Sequence, residues 1–64
     1  MRNLLKKIDE LTELLEMGLL TKDYSLLQIR KIRSEIADKY EEGSDEFIMA
    51  IYPLIDANEI AISI

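Results

Sequence analysis

The sequence contains no cysteine and no histidine, and these two absences exclude several kinds of chemistry. Without cysteine no disulfide can form, and without either residue the usual zinc sites are excluded. The six serine and threonine hydroxyls have no histidine to activate them as nucleophiles. We therefore predict no catalytic residue, no metal site and no cofactor, and a protein that is not an enzyme.

Glycine and proline are also scarce. The two glycines, Gly18 and Gly43, fall at predicted helix ends, so the sequence has no glycine-rich phosphate loop. The single proline, Pro53, lies inside the most apolar segment, residues 47–64. Because proline lacks an N–H group and clashes with the preceding helical turn, we predict that a helix there kinks or stops near Tyr52.

Basic residues are missing from the C-terminal part. All eight lie in residues 1–39 together with seven acids, a net charge of +1, whereas residues 40–64 hold six acids and no base. An acidic end repels nucleic acid and anionic lipid, so we predict no direct nucleic-acid binding. Because Asp56, Asn58 and Glu59 interrupt the apolar segment, we predict no membrane span. No signal-peptide pattern follows Met1, so a cytoplasmic location is expected.

The chain is 64 residues long, which corresponds to one small domain. Its hydrophobic content, 48%, is too high for a disordered chain. In a domain of this size, apolar burial and the loss of chain entropy nearly cancel, and a partner chain commonly supplies the missing stability. We therefore predict a homodimer or a higher homo-oligomer, or folding against another protein.

Two amphipathic helices are predicted first. The first covers about residues 4–17, with Asn3 as N-cap and Gly18 just beyond its end. The second covers about residues 25–42 and ends at Gly43; Ser25 and Gln28 fit a capping box, with Thr21 or Asp23 as alternative starts. Apolar residues recur at helical spacing in both: Leu4, Ile8, Leu11 and Leu15, widened by Leu5 and Leu19, and then Leu26, Ile29, Ile32, Ile36 and Tyr40. The short connection predicts an antiparallel hairpin.

A third, shorter helix is predicted over about residues 45–57, with Ser44 as N-cap. Residues 47–55 are apolar on every side, which is typical of a helix buried on every side. We therefore predict that this helix packs against the hairpin and against another copy. Residues 59–64 alternate in polarity, so a terminal strand is the alternative to a kinked or broken helix. The predicted fold is an all-α bundle completed by homo-oligomerisation.

Arg33 falls within the apolar stripe of the second helix. A buried guanidinium needs a carboxylate partner, for which Asp56 and Glu59 are the candidates. The alternative is that the side chain extends along the apolar surface and keeps its charge in solvent.

One acidic pattern resembles that of the all-α nucleotide pyrophosphatases of the MazG type. It consists of Asp9, Glu10 and Glu13 on the first helix, followed by Glu35 and Asp38 on the second. The resemblance implies magnesium held by carboxylates of adjacent helices, with Arg30 or Lys31 near the phosphates. The helical phase, however, places these carboxylates away from the seam between the helices, so a solvated charged face is the interpretation that we favour.

The predicted function is that of a small acidic protein-binding protein that sterically occupies a surface of a larger protein, as an inhibitor, antitoxin, adaptor or phage counter-defence factor. The alternatives are a self-assembling structural subunit, and a nucleic-acid mimic that uses Glu41, Glu42, Asp45 and Glu46. The residues predicted to form the partner or oligomer interface are Tyr24, Leu27, Arg30, Arg33, Phe47, Ile48, Ile51, Tyr52, Leu54, Ile55, Ile60 and Ile62.

Overall fold

The computed structural model describes residues 2–64, which form three α-helices in one bundle. Helix α1 spans Arg2–Glu16, α2 spans Lys22–Lys39 and α3 spans Asp45–Ile62. Short connections make consecutive helices antiparallel, and the longest dimension of the bundle is 32 Å. The predicted all-α helical bundle is thereby confirmed. No helix within the described residues is both long and apolar enough to cross a membrane.

Helix α1 ends where its sequence predicts. Gly18 has a φ of +73°, in the left-handed region that favours glycine. The Gly18 N–H donates to the carbonyl of Leu15, and the Leu19 N–H donates to the carbonyl of Leu14, which is the Schellman arrangement. The start differs from the prediction, because the helix already begins at Arg2 and Asn3 lies inside its first turn.

Helix α2 begins at the alternative position. Thr21, and not Ser25, is the N-cap, and its side chain accepts a hydrogen bond of 3.3 Å from the N–H of Tyr24. Ser25 is fully buried one turn further on, and its hydroxyl donates to the Thr21 carbonyl at 2.7 Å. The capping role predicted for Ser25 is therefore wrong, because its hydroxyl is satisfied inside the helix.

The end of α2 also differs from the prediction. Tyr40 is extended, so the helix ends at Lys39 rather than at Gly43. Gly43, with a φ of +86°, instead turns the chain towards α3. Ser44 then caps α3 as predicted, accepting a hydrogen bond from the N–H of Phe47 at 3.2 Å.

Helix α3 is the central element of the bundle. It packs against both α1 and α2, whereas α1 and α2 touch each other less. Its inner side is lined by three fully buried alanines, Ala50, Ala57 and Ala61. Leu54 is the one large buried residue between them. Small side chains allow close approach of helix backbones, so α3 can lie near both neighbours at once. The large apolar residues of α3 are consequently left for its other sides.

Helix α3 continues through Pro53 and is as long as α2, with 18 residues each. The prediction of a shorter helix that breaks at Pro53 is therefore wrong, and so is that of a terminal strand. The kink stays a prediction. Pro53 costs the hydrogen bond that its N–H would donate to the carbonyl of Met49. The helix continues because Leu54, Ala57 and Ala61 are buried beyond this point, and that burial offsets the local loss.

The core of the bundle lies between the apolar stripes of α1 and α2 and the alanine side of α3. All four residues of the α1 stripe are buried, as predicted, and so are three of the five in the α2 stripe. The buried apolar residues are Leu4, Ile8, Leu11, Leu15, Ile29, Ile32, Ile36, Ala50, Leu54, Ala57 and Ala61.

Candidate protein-binding surfaces

Large apolar side chains project outwards from α3. Ile48, Ile55 and Ile62 are 39%, 45% and 54% exposed, and Tyr52 is 62% exposed. Ile51 lies half-buried between this side of the helix and the core. A single chain therefore covers residues 47–55 only in part, as the small size of the bundle led us to expect. That a second copy covers them stays a prediction.

The outward side of α3 has a regular spacing. Ile48, Ile51, Ile55, Asn58 and Ile62 follow one another at intervals of three, four, three and four residues. This is the spacing of the core positions of a helix that packs along a neighbouring helix over several turns. Three members of the series, Ile51, Ile55 and Asn58, line a cavity beside α2.

Helix α2 extends the same surface. Four of its residues lie towards this side: Leu26, Arg30, Arg33 and Ala37. A shallow cavity of about 240 Å³ separates the two helices, lined by Ile29, Arg33, Ile51, Leu54, Ile55 and Asn58. These residues of α2, together with the outward spacing series of α3, are called the α2–α3 face below.

Arg33 stands on the α2–α3 face as an exposed residue. Within residues 2–64 it forms no ion pair with Asp56 or Glu59, so the predicted pairing inside one chain is wrong. The structure agrees with the alternative, in which the guanidinium reaches solvent. In the described part of the chain the one ion pair joins Lys7 to Glu35 at 3.3 Å. Because both side chains are about half exposed, it contributes less than about 1 kcal/mol.

A second apolar surface lies where α1 turns into α2. Met17 and Leu19 are 68% and 65% exposed, and Leu14 and Tyr24 are 38% and 51% exposed. Leu14 and Tyr24 line one groove, and Met17 and Leu19 flank the turn at Gly18, so all four lie at this end of the bundle. They are called the turn patch below.

The turn patch continues into a groove between α1 and α2. The groove has a volume of about 350 Å³, and it exists because these two helices pack less closely with each other than with α3. Its apolar lining comes from Leu11, Leu14, Leu20, Tyr24 and Ile32, and its polar lining from Lys7, Glu10, Gln28, Lys31 and Glu35. An apolar floor with charges of both signs at the rim suits an amphipathic segment of another protein.

The predicted interface residues fall into three groups. Eight are exposed: Tyr24, Leu27, Arg30, Arg33, Ile48, Tyr52, Ile55 and Ile62. Phe47, Ile51 and Ile60 are half-buried against the core. Leu54 is 2% exposed and belongs to the core of the single chain, so it cannot touch a partner directly.

Sequence reasoning missed Leu19 as a surface residue. It was expected to widen the buried stripe of the first helix, but it follows the left-handed Gly18 and is therefore no longer in helical phase with Leu15. The glycine that ends the helix was the signal that could have excluded Leu19 from the stripe. Leu14 and Met17 also lie off that stripe, and all three belong to the turn patch.

The acidic residues of the pyrophosphatase resemblance are not gathered into a site. Asp9, Glu10, Glu13 and Asp38 are exposed, and the Glu35 carboxylate is paired with Lys7. No three Asp or Glu side chains within residues 2–64 lie close enough together to hold a metal ion. The arrangement therefore gives the pyrophosphatase hypothesis no geometric support.

Comparison with known proteins gives no further guide to these surfaces. No family model matches the chain, and no curated protein and no solved structure matches it.

Proposed function

We propose that this chain is a non-enzymatic protein-binding protein, an inhibitor, antitoxin or adaptor, that acts by occupying a surface of a larger protein. The turn patch is the observation that carries the proposal. It places four large apolar side chains at one end of the bundle, and none of them belongs to the hydrophobic core. Scattered single apolar residues on a surface are normal, whereas several large exposed ones at the same end of a bundle, beside a groove, favour an interaction site.

The mechanism is steric. A segment of the target protein lies in the groove between α1 and α2, and its apolar side chains contact Leu14 and Leu20. Lys31 on the rim attracts acidic groups of the target, while Glu10 selects basic ones. Once bound, the bundle blocks whatever active or assembly surface that segment belongs to.

We also propose that the chain self-associates, with the α2–α3 face covered in the assembly. In such an assembly the α2–α3 face holds the copies together, and the turn patch stays free to bind a target. The acidic residues Glu41, Glu42, Asp45 and Glu46 lie exposed in and beside the α2–α3 connection, and Glu42 lines a cavity with Arg33 and Ala37 of the α2–α3 face. Because the proposal rests on the exposed apolar side chains of the turn patch, we favour apolar docking over nucleic-acid mimicry.

A pull-down with matched variants tests this function. Protein tagged at its N-terminus is recovered from cells of its own organism, as wild type, as Leu19→Ser with Tyr24→Ser, and as Met49→Ser. Met49 is 57% exposed on α3, outside both surfaces, so its variant controls for the loss of an exposed apolar side chain. We expect one foreign protein in near-stoichiometric amount with the wild type and the Met49 variant, and its loss with the turn-patch variant. Recovery of the chain alone from the wild type would contradict the proposal.

A further inference from the structure

We propose that a second copy of this chain covers the α2–α3 face, related by a two-fold axis parallel to the helices, with Arg30 of each copy paired with Glu59 of the other. The inference rests on the proposed self-association and does not depend on the foreign target.

The distribution of side-chain size on α3 indicates that a helix packs on its outer side. Alanines face the core of the single chain, whereas isoleucines occupy the outward spacing series. A sequence selected only to fold as a monomer gains nothing from three isoleucines about half exposed at intervals of seven residues, Ile48, Ile55 and Ile62. Isoleucine at these positions with one asparagine in the same series is the pattern of a helical seam whose register is fixed by a buried polar residue.

The size of the face suits a dimer. Both helices have 18 residues and are therefore about 27 Å long, and two packed helices are about 18 Å wide. One face thus covers about 500 Å² in projection, and two such faces bury about 1,000 Å². This reaches the lower limit of about 1,000 Å² for a biological protein–protein interface.

Charge identifies the occupant as a second copy. Helix α2 places Arg30 and Arg33 on this face, and α3 contains four acidic residues and no basic residue. Glu59 of α3 follows Ile55 by four residues and precedes Ile62 by three, so it borders this face. It is exposed and, within the described part of the chain, forms no ion pair. The face therefore carries both signs, each on its own helix, and is complementary to itself when α2 of one copy lies over α3 of the other.

The same charges select the orientation of the two-fold axis. An axis perpendicular to the helices and parallel to the face would set α2 against the partner's α2 and α3 against the partner's α3, so that like charges would meet. An axis parallel to the helices sets α2 against the partner's α3 instead. Like-charge contacts across an interface cost several kcal/mol, so the second arrangement is favoured.

The contact between Arg30 and Glu59 follows from their height, that is, their position along the helix axes of the bundle. Arg30 and Asn58 line the same small cavity between α2 and α3, so Arg30 lies at the level of residues 58 and 59. A two-fold axis parallel to the helices leaves every height unchanged. The partner's Glu59 therefore comes to the level of Arg30, on the opposing helix.

A charge exchange measured by sedimentation equilibrium tests the proposal. The proteins are the wild type, Arg30→Glu, Glu59→Arg, and the variant with both substitutions. All are at exposed positions, so the fold of each copy is preserved, which circular dichroism verifies. The matched control is Lys31→Glu, the same charge change one residue along α2, on the side that faces α1.

We expect a wild-type dimer, an increase of about tenfold or more in the dimer Kd for each single substitution, and restoration to within about threefold in the double variant. Lys31→Glu should leave the dimer Kd unchanged. A monomeric wild type, an assembly larger than a dimer, or single substitutions without effect would overturn the proposal, and so would a double variant as weak as the single ones. Target binding through the turn patch is measured separately in the pull-down, so either proposal can fail alone.

Discussion

Replacing Ala57 with leucine tests the packing of α3 most sharply, because the change adds apolar surface and is nevertheless expected to destabilise the protein. Ala57 is fully buried on the side of α3 that packs against both other helices. Leucine is a good helix former, so the substitution costs no helix propensity. Its three additional carbons have no free space and must push α3 away from its neighbours.

Overpacking of this kind costs about 1–3 kcal/mol. A domain of this length has a total stability of about 3–10 kcal/mol, so the loss is a large fraction of the whole. In a domain this small each kcal/mol shifts the melting temperature by about 4–8 °C, which gives a fall of about 5–20 °C for Ala57→Leu.

The assay is urea unfolding followed by circular dichroism at a fixed protein concentration, because self-association makes apparent stability depend on concentration. With a slope of about 1 kcal/mol per molar urea, the midpoint should fall by about 1 M or more. Glu13→Leu, on the exposed side of α1, is the control and should change stability by less than about 0.5 kcal/mol. A midpoint for Ala57→Leu equal to or above that of the wild type would refute the close packing of α3.

Three further substitutions test local features in the same assay. Pro53→Ala should raise stability by about 1–3 kcal/mol, because alanine supplies the N–H for the carbonyl of Met49; lower stability would mean that the proline ring contributes packing that outweighs that bond. Ser44→Ala should lower it by about 1 kcal/mol through loss of the α3 cap, and no change would show that the cap contributes nothing. Gly18→Ala should cost about 1–2 kcal/mol from the left-handed backbone alone, because no atom lies within 4 Å of the added Cβ; unchanged stability would argue against this turn.

The sequence alone was sufficient to predict the number of helices and which sides of α1 and α2 are buried. The stripe of Leu4, Ile8, Leu11 and Leu15 is flanked by charged residues, so hydrophobic periodicity selects a single face. Ser44 was also predictable, because Asp45 and Glu46 follow it and no competing cap lies nearby. At α2, by contrast, Thr21 and Ser25 both suited the cap position, and only the burial of Ser25 decides between them.

The packing of α3 was not predictable from polarity. Residues 47–55 are apolar on every side, so the pattern selects no face, and side-chain size decides instead: alanines go inwards and isoleucines outwards. The break expected at Pro53 failed for a related reason. A local rule assigned the helix end, whereas burial of Leu54 and Ala57 beyond the proline outweighs the cost of one hydrogen bond.

The polarity pattern was also insufficient to separate exposed interface candidates from core residues in α3. Four interface candidates of α3 are exposed and stay predictions, whereas Leu54 was included because nothing in the polarity pattern separates it from its neighbours. The turn patch depends on where the chain reverses after Gly18, which brings Leu14 and Tyr24 to one groove. Contacts between residues of different helices are not encoded in the periodicity of either helix.

Photo-crosslinking in living cells tests the central claim, that the turn patch binds another protein, most directly. A photoreactive phenylalanine analogue replaces Tyr24 in one protein and Glu13 in another, so that it lies on the turn patch in the first and on the charged exposed side of α1 in the second. The account predicts one discrete adduct, larger than a dimer of this chain with itself, from the Tyr24 position and none from the Glu13 position. Adducts of equal yield from both positions, or only the chain crosslinked to itself from Tyr24, would contradict it.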